Sequence, residues 1–146
     1  MISCKNLQYS YPTLNNTPQR SLHFPDFTCE NDETLLILGR SGRGKTTLLH
    51  LIGLILTPQT GTIVIDGQEV QHLSPKELTA VRAAKIGMIY QRPHFVNALS
   101  VLDNLLLANY LASKPENREH ATYLAEQLGF ADHLSKKPNQ LSLGEQ

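Results

Sequence analysis

Between positions 39 and 46 the chain reads Gly39-Arg40-Ser41-Gly42-Arg43-Gly44-Lys45-Thr46, and this octapeptide restricts the fold more than any other stretch. It has the form G-x-x-x-x-G-K-[ST], between the continuous apolar run Thr34–Leu38 and the apolar-periodic segment Lys45–Gly53. A strand buried on both faces, a glycine loop and a helix, in that order, describe one step of an α/β sheet. The glycines let the backbone wrap a phosphate chain where Cβ atoms would collide. Successive N–H groups then face inward, and the helix N-terminus adds its partial positive charge. Lys45 brings a full charge to the terminal phosphates, and the Thr46 hydroxyl suits Mg2+. The run from Gly39 to Thr47 is therefore expected to hold a nucleotide.

The rest of the composition limits what surrounds that loop. A chain of 146 residues with 40% hydrophobic and 18% charged side chains is one domain's worth, with enough apolar mass for a core. Lys+Arg and Asp+Glu balance at 13 each, so no basic footprint argues for nucleic acid. Cys4 and Cys29 form no C-x-x-C pair and have no His partners at zinc spacing, which fits reduced thiols in a cytosolic protein. The start lacks the apolar core of a signal peptide, so the Asn15-Asn16-Thr17 sequon reads as chance. Leu48–Leu56, the longest apolar run, is too short to span a bilayer. A soluble, cytoplasmic chain is expected.

Along the chain, residues 2–9 are expected to form an edge strand, followed by a polar loop over 12–19. Residues 22–29 alternate as an outer strand, with Pro25 requiring an edge position. Residues 34–38 predict a strand buried on both faces, and a helix runs from Lys45 to Gly53 or soon after. Residues 62–66 predict another strand with a hairpin-type turn at Asp66-Gly67. Ser74, Pro75 and Glu77 stand at N-cap, N1 and N3 of a helix, a capping-box spacing. Residues 86–90 predict a third apolar strand and 91–99 a loop. Helices follow over about 101–112 and 115–128, the second closing at Gly129.

The loop alone leaves several nucleotide machines open. A guanine-reading N-K-x-D sequence is absent. Three other stretches are informative: Tyr90-Gln91 in I-G-M-I-Y-Q with Leu99–Leu105 after it, Tyr11 in Q-Y-S-Y-P, and the closing L-S-L-G-E-Q. Together with the phosphate loop they resemble the ATP-binding cassette family, the nucleotide-binding subunits of ABC transporters. The text around the motifs looks closest to the exporter-type branch that handles lipoproteins and macrolides.

The resemblance implies an α/β P-loop NTPase fold of ABC type: a core parallel sheet with flanking helices, an N-terminal antiparallel β part and a helical subdomain. It divides 1–146 into a β-rich and phosphate-loop core (1–90), a Q-loop and helical part (91–140) and the start of the signature (141–146). It implies that Lys45 and Gln91 serve catalysis, and that Thr46 and Gln91 ligate Mg2+. Gly39, Arg40, Ser41, Gly42, Arg43, Gly44, Lys45, Thr46 and Thr47 would line the ATP phosphates. Tyr11 would stack on adenine, with Tyr9 as the alternative. Ser142 and Gly144 would hold the γ-phosphate bound by a second nucleotide-binding domain in a head-to-tail dimer. An integral membrane subunit would dock at the loop after Gln91, placing the chain on the inner face of the membrane.

The sequence also departs from the family pattern. The family continues past its signature into an apolar strand ending in Asp-Glu and, later, a histidine; the chain is therefore expected to be incomplete at its C-terminus. Leu143 stands where glycine is usual, and Arg40 and Arg43 where small or polar residues are more familiar. Their charge would either strengthen phosphate attraction or remain solvated. Two readings stay open: an ATP-hydrolysing transporter subunit, or a nucleotide-binding module without turnover. A cassette protein acting on DNA or ribosomes would carry coiled-coil insertions, duplicated domains or a basic surface.

Overall fold

In the computed structural model, which describes all residues except 13–20, 92–93, 113, 143 and 146, strand β1 (Ile2–Ser10) has three antiparallel partners. Strands β2 (Ser21–His23) and β3 (Phe27–Cys29) line one flank, and β4 (Thr60–Ile65) lines the other. β5 (Gln68–Glu69) closes the far side of β4. The expected edge strand is thus the hub of the sheet. Its buried residues Cys4 and Leu7 are three apart and would point to opposite faces of a regular strand. A register shift between Lys5 and Gln8, with Asn6 at φ 51°, returns both to the core.

The anticipated outer strand over 22–29 is split into two short pieces around Phe24–Asp26. Pro25 has no N–H to give a ladder, so the break falls there, on the flank with no further strand beside it. Phe24 N–H still reaches Leu7 O at 3.0 Å, and the Asp26 carboxylate accepts from Asn6 N–H at 2.7 Å. The β4–β5 turn is the one read from Asp66-Gly67: both residues have positive φ (48° and 81°), as a two-residue type I′ hairpin requires.

Helix α1 (Lys45–Ile52) lays Leu48 and Leu51 on the sheet, where they join Cys4, Leu7, Leu54, Ile63, Ile65 and Val70 in one core. Helix α2 (Pro75–Lys85) starts as its sequence dictates. Ser74 accepts from Glu77 N–H, and the Glu77 carboxylate accepts from Ser74 N–H at 2.8 Å. Leu78 and Val81 then pack partly on the core.

Two expected strands are not formed. Residues 34–38 and 86–90 belong to no sheet, and every strand pair among the described residues is antiparallel. Leu36 and Leu38 are 75% and 80% exposed, and Ile89 is fully so. A parallel ladder needs a strand alongside to pair with, and no described strand runs beside either run. Apolar character alone could not supply one.

The chain divides into two compact units, Met1–Ile86 and Gly87–Gln146. In the second, helix α3 (Val101–Leu111) is capped by Ser100, which accepts from Asp103 N–H at 3.1 Å. Helix α4 (Arg118–Gln127) begins three residues after Pro115, because Asn117 is its cap, accepting from His120 N–H at 2.9 Å. It ends into Gly129 at φ 77°. Among the described residues, Val101, Leu106, Ala121, Ala125 and Pro138 are the buried apolar residues of this unit. A segment with two 3-10 turns, Ala131–His133 and Pro138–Gln140, returns along α3 and bonds its first turn through Leu134 O and Lys136 O. Both cysteines are free thiols. Cys4 is fully buried, and burial, with help from the Asp26 charge, pushes it up to about 12.

Candidate nucleotide site

The glycine loop occupies the place its sequence reserved, directly ahead of α1. Gly42 and Gly44 adopt φ of 72° and 92°, the left-handed region where an L side chain is strained. At Gly44 a second constraint applies: an added Cβ would lie 3.1 Å from Leu22 and 3.3 Å from Phe24. These two side chains support the loop from below. Leu22 and Phe24 fall on one face of the alternating segment 22–29, and that shared face is the sequence signal for their role.

Gly44 is also the N-cap of α1 and has no side chain to offer as an acceptor. The first N–H groups of the helix are therefore left for an outside anion. Lys45 folds back across the loop, its ammonium donating to Gly39 O at 2.6 Å and Arg40 O at 3.1 Å. These carbonyls hold the charge at the loop instead of letting it extend into water. Arg40, Ser41, Gly42 and Arg43 are all exposed. A turn with Arg43 N–H 3.4 Å from Arg40 O gives the loop its curvature. Open donors, one tethered cation and glycines at the strained positions fit a polyphosphate. The exposed Thr46 hydroxyl fits a hard cation such as Mg2+.

Thr47, next along, behaves differently from Thr46. It is 4% exposed, and its hydroxyl lies 2.9 Å from the Tyr11 hydroxyl. Tyr11 follows the end of β1, is half exposed, and meets Tyr9 edge to face at 5.0 Å between ring centroids. The aromatic residue expected near the base is thus attached to the helix that begins at the phosphate loop. The ring of Tyr9, the alternative, packs partly against the core.

The other expected site residues belong to the second unit. Gln91 stands exposed at a bend. Ser142 and Gly144 are exposed, and Ser142 N–H donates to the Glu145 carboxylate at 2.7 Å. Ser142, first through its hydroxyl and then through this N–H, holds Glu145 below the usual carboxylate range. Glu145 also meets His133 at 3.3 Å, tying the closing residues to the first 3-10 turn. Leu143 lies outside the described residues, as do positions 92–93 of the loop after Gln91.

The ABC transporter family model matches residues 22–146. The lipoprotein-releasing system ATP-binding protein LolD of Aquifex aeolicus is 39% identical over 78% of this chain and 52% of its own length. LolD 2 of Chlorobaculum tepidum is 36% identical over 100% of this chain and 62% of its own. The macrolide export ATP-binding/permease protein MacB of Rhodopseudomonas palustris is 37% identical over 99% of this chain and 22% of its own. The chain therefore spans only part of the relatives it matches. Among solved structures, the dimeric post-hydrolysis state of the ATP-binding cassette MJ0796, bound to ADP and Pi, superposes with a TM-score of 0.86. It is 27% identical over 99% of this chain and 65% of that one.

Proposed function

The chain belongs to the ABC transporter family, and from that premise we propose that it is part of an ATP-binding subunit whose nucleotide binding and hydrolysis drive transport across a membrane. The observation that carries the reading is the phosphate loop, with its uncapped helix start and the Lys45 ammonium held across it. Gly39 to Thr47 would cradle the phosphates, Lys45 would neutralise the terminal ones, and Tyr11 would stack on the adenine. Thr46 and Gln91 would hold Mg2+, which when bound would draw charge from the phosphate oxygens as water attacks the phosphorus. Ser142 and Gly144 would serve the γ-phosphate of ATP on a second copy, in a head-to-tail dimer.

Residues 91–140 would form the part that meets a membrane-embedded partner through the loop after Gln91, and 1–90 the part that holds ATP. The break between compact units after Ile86 supports that division. No described helix is long and apolar enough to cross a membrane, which supports placing the chain at the cytoplasmic face as a peripheral subunit. The likeness to LolD and MacB supports the lipoprotein and macrolide branch.

Calorimetric titration of the purified chain with Mg-ATP tests the reading. Saturable binding is expected, weakened at least about tenfold in Lys45→Ala by loss of a charge-assisted contact. Equal binding by the variant, or none by either protein, would remove the phosphate loop as the site.

A further inference from the structure

Among the described residues Thr47 is the one buried polar side chain, and its hydroxyl is engaged with a residue 36 positions earlier. A threonine in a helix ordinarily returns its hydroxyl to a carbonyl three or four residues back, or leaves it in water. This one sits in the first turn of α1, next to Lys45 and Thr46, and meets the Tyr11 hydroxyl at 2.9 Å. Tyr11 itself lies beyond the last residue of β1. Among the described residues, two contacts hold its ring: the edge of Tyr9 at 5.0 Å and the hydroxyl of Thr47.

We infer that Thr47 is a positioning residue: through its hydroxyl it sets the Tyr11 ring for the base of the nucleotide, so that base and phosphate recognition are coupled through the first turn of α1. The inference rests on the proposed nucleotide site and adds a residue that acts on the base only through Tyr11. The physical case concerns entropy. A half-exposed tyrosine at the end of a strand samples several rotamers, and stacking a base on it must first select one. A hydrogen bond to a buried group on a helix makes that selection before the nucleotide arrives. Burial makes the Thr47 hydroxyl a dependable anchor, because water has little access to compete for it. It also makes the loss of its partner costly, since a buried hydroxyl left alone keeps its desolvation penalty.

The test compares ATP with inorganic tripolyphosphate, which carries the phosphates but no base. The readout is the ratio of the two dissociation constants for the wild-type chain and for Tyr11→Phe, Thr47→Val and Thr47→Ser. Thermal denaturation of each variant checks that it is folded. The wild type is expected to prefer ATP. Tyr11→Phe and Thr47→Val should each reduce that preference by about fivefold, the size of one neutral hydrogen bond. The double variant should be no worse than either single one, and Thr47→Ser, which keeps the oxygen, should keep the preference. Unchanged preference in both Tyr11→Phe and Thr47→Val would overturn the inference while leaving the phosphate loop in place. Loss of preference in Thr47→Val alone would overturn it in a different way, by showing that Thr47 acts on the base without Tyr11. A wild type without preference for ATP would instead strike the adenine-stacking reading, and the inference with it. If Thr47→Val does not fold, Tyr11→Phe, altered on a half-exposed ring, decides the question alone.

Discussion

At Gly61 the sheet leaves no space for a side chain. Its φ is 94°, and a Cβ there would lie 2.5 Å from the backbone of Asn6 and Lys5, at the point where β1 bulges. Backbone cannot move aside as a flexible side chain can, so the clash adds to the strain of the left-handed conformation. Gly61→Ala should therefore destabilise the chain by about 2–4 kcal/mol, read as a lower urea midpoint at constant slope. A variant as stable as the wild type would show that the β1–β4 contact at the bulge opens freely. The Thr60-Gly61 pair reads in sequence as a turn, and nothing local reveals that its glycine meets a bulge 55 positions away. Thr47 is similar. The motif placed it beside the phosphate loop, but the hydroxyl it bonds comes from the end of another element. Contacts like these are set by the tertiary fold and leave no short-range pattern.

At the scale of elements, the features legible in the sequence are those whose signals are local. Ser74, Pro75 and Glu77 specify the start of α2 within four residues, and the capping box forms as read. Asp66-Gly67 specifies its hairpin, and Gly129 ends α4. Strand identity depends on neighbours, so β1 could be recognised as a strand but not as the hub of its sheet. The same dependence explains residues 34–38, whose Ile37 packs against the core while Leu36 and Leu38 face outward. An exposed apolar run with no strand beside it among the described residues is a template for association. The purified chain should therefore self-associate as its concentration rises. Leu36→Lys with Leu38→Lys should move the onset to higher concentration, measured by static light scattering. Because both side chains are exposed, the melting temperature should change little. Association identical to the wild type in that double variant would place the sticky surface elsewhere.

For the whole molecule, charge is the property that a change of pH can shift in both units at once. At neutral pH the 13 acidic and 13 basic residues cancel. Several of the acids hold structure together. Asp66 takes a hydrogen bond and an ion pair from Lys85 at 2.8 Å, and Glu77 closes the α2 capping box. Asp103 accepts from the Ser100 hydroxyl at the start of α3, and Glu145 from Ser142 N–H. Each of the four is held below its ordinary value, Asp66 first by the Lys85 hydrogen bond, and Glu77, Asp103 and Glu145 first by the hydroxyls of Ser74, Ser100 and Ser142. A carboxylate with a lowered pKa in the folded chain stabilises it at pH above the unfolded value, and that contribution disappears as acid protonates the folded form. The ordinary values are 3.8 for aspartate and 4.5 for glutamate, so the loss begins below about 4.5 and deepens as pH falls further. Over the same range the basic groups lose their counter-charges, and self-repulsion adds to the effect. A melting temperature that is level from about pH 8 to pH 5 and falls steadily below pH 4.5 is the expected profile. A main fall between pH 7 and 5.5 would instead assign the acid sensitivity to the six histidines, and these carboxylate caps would not be what holds the helix starts.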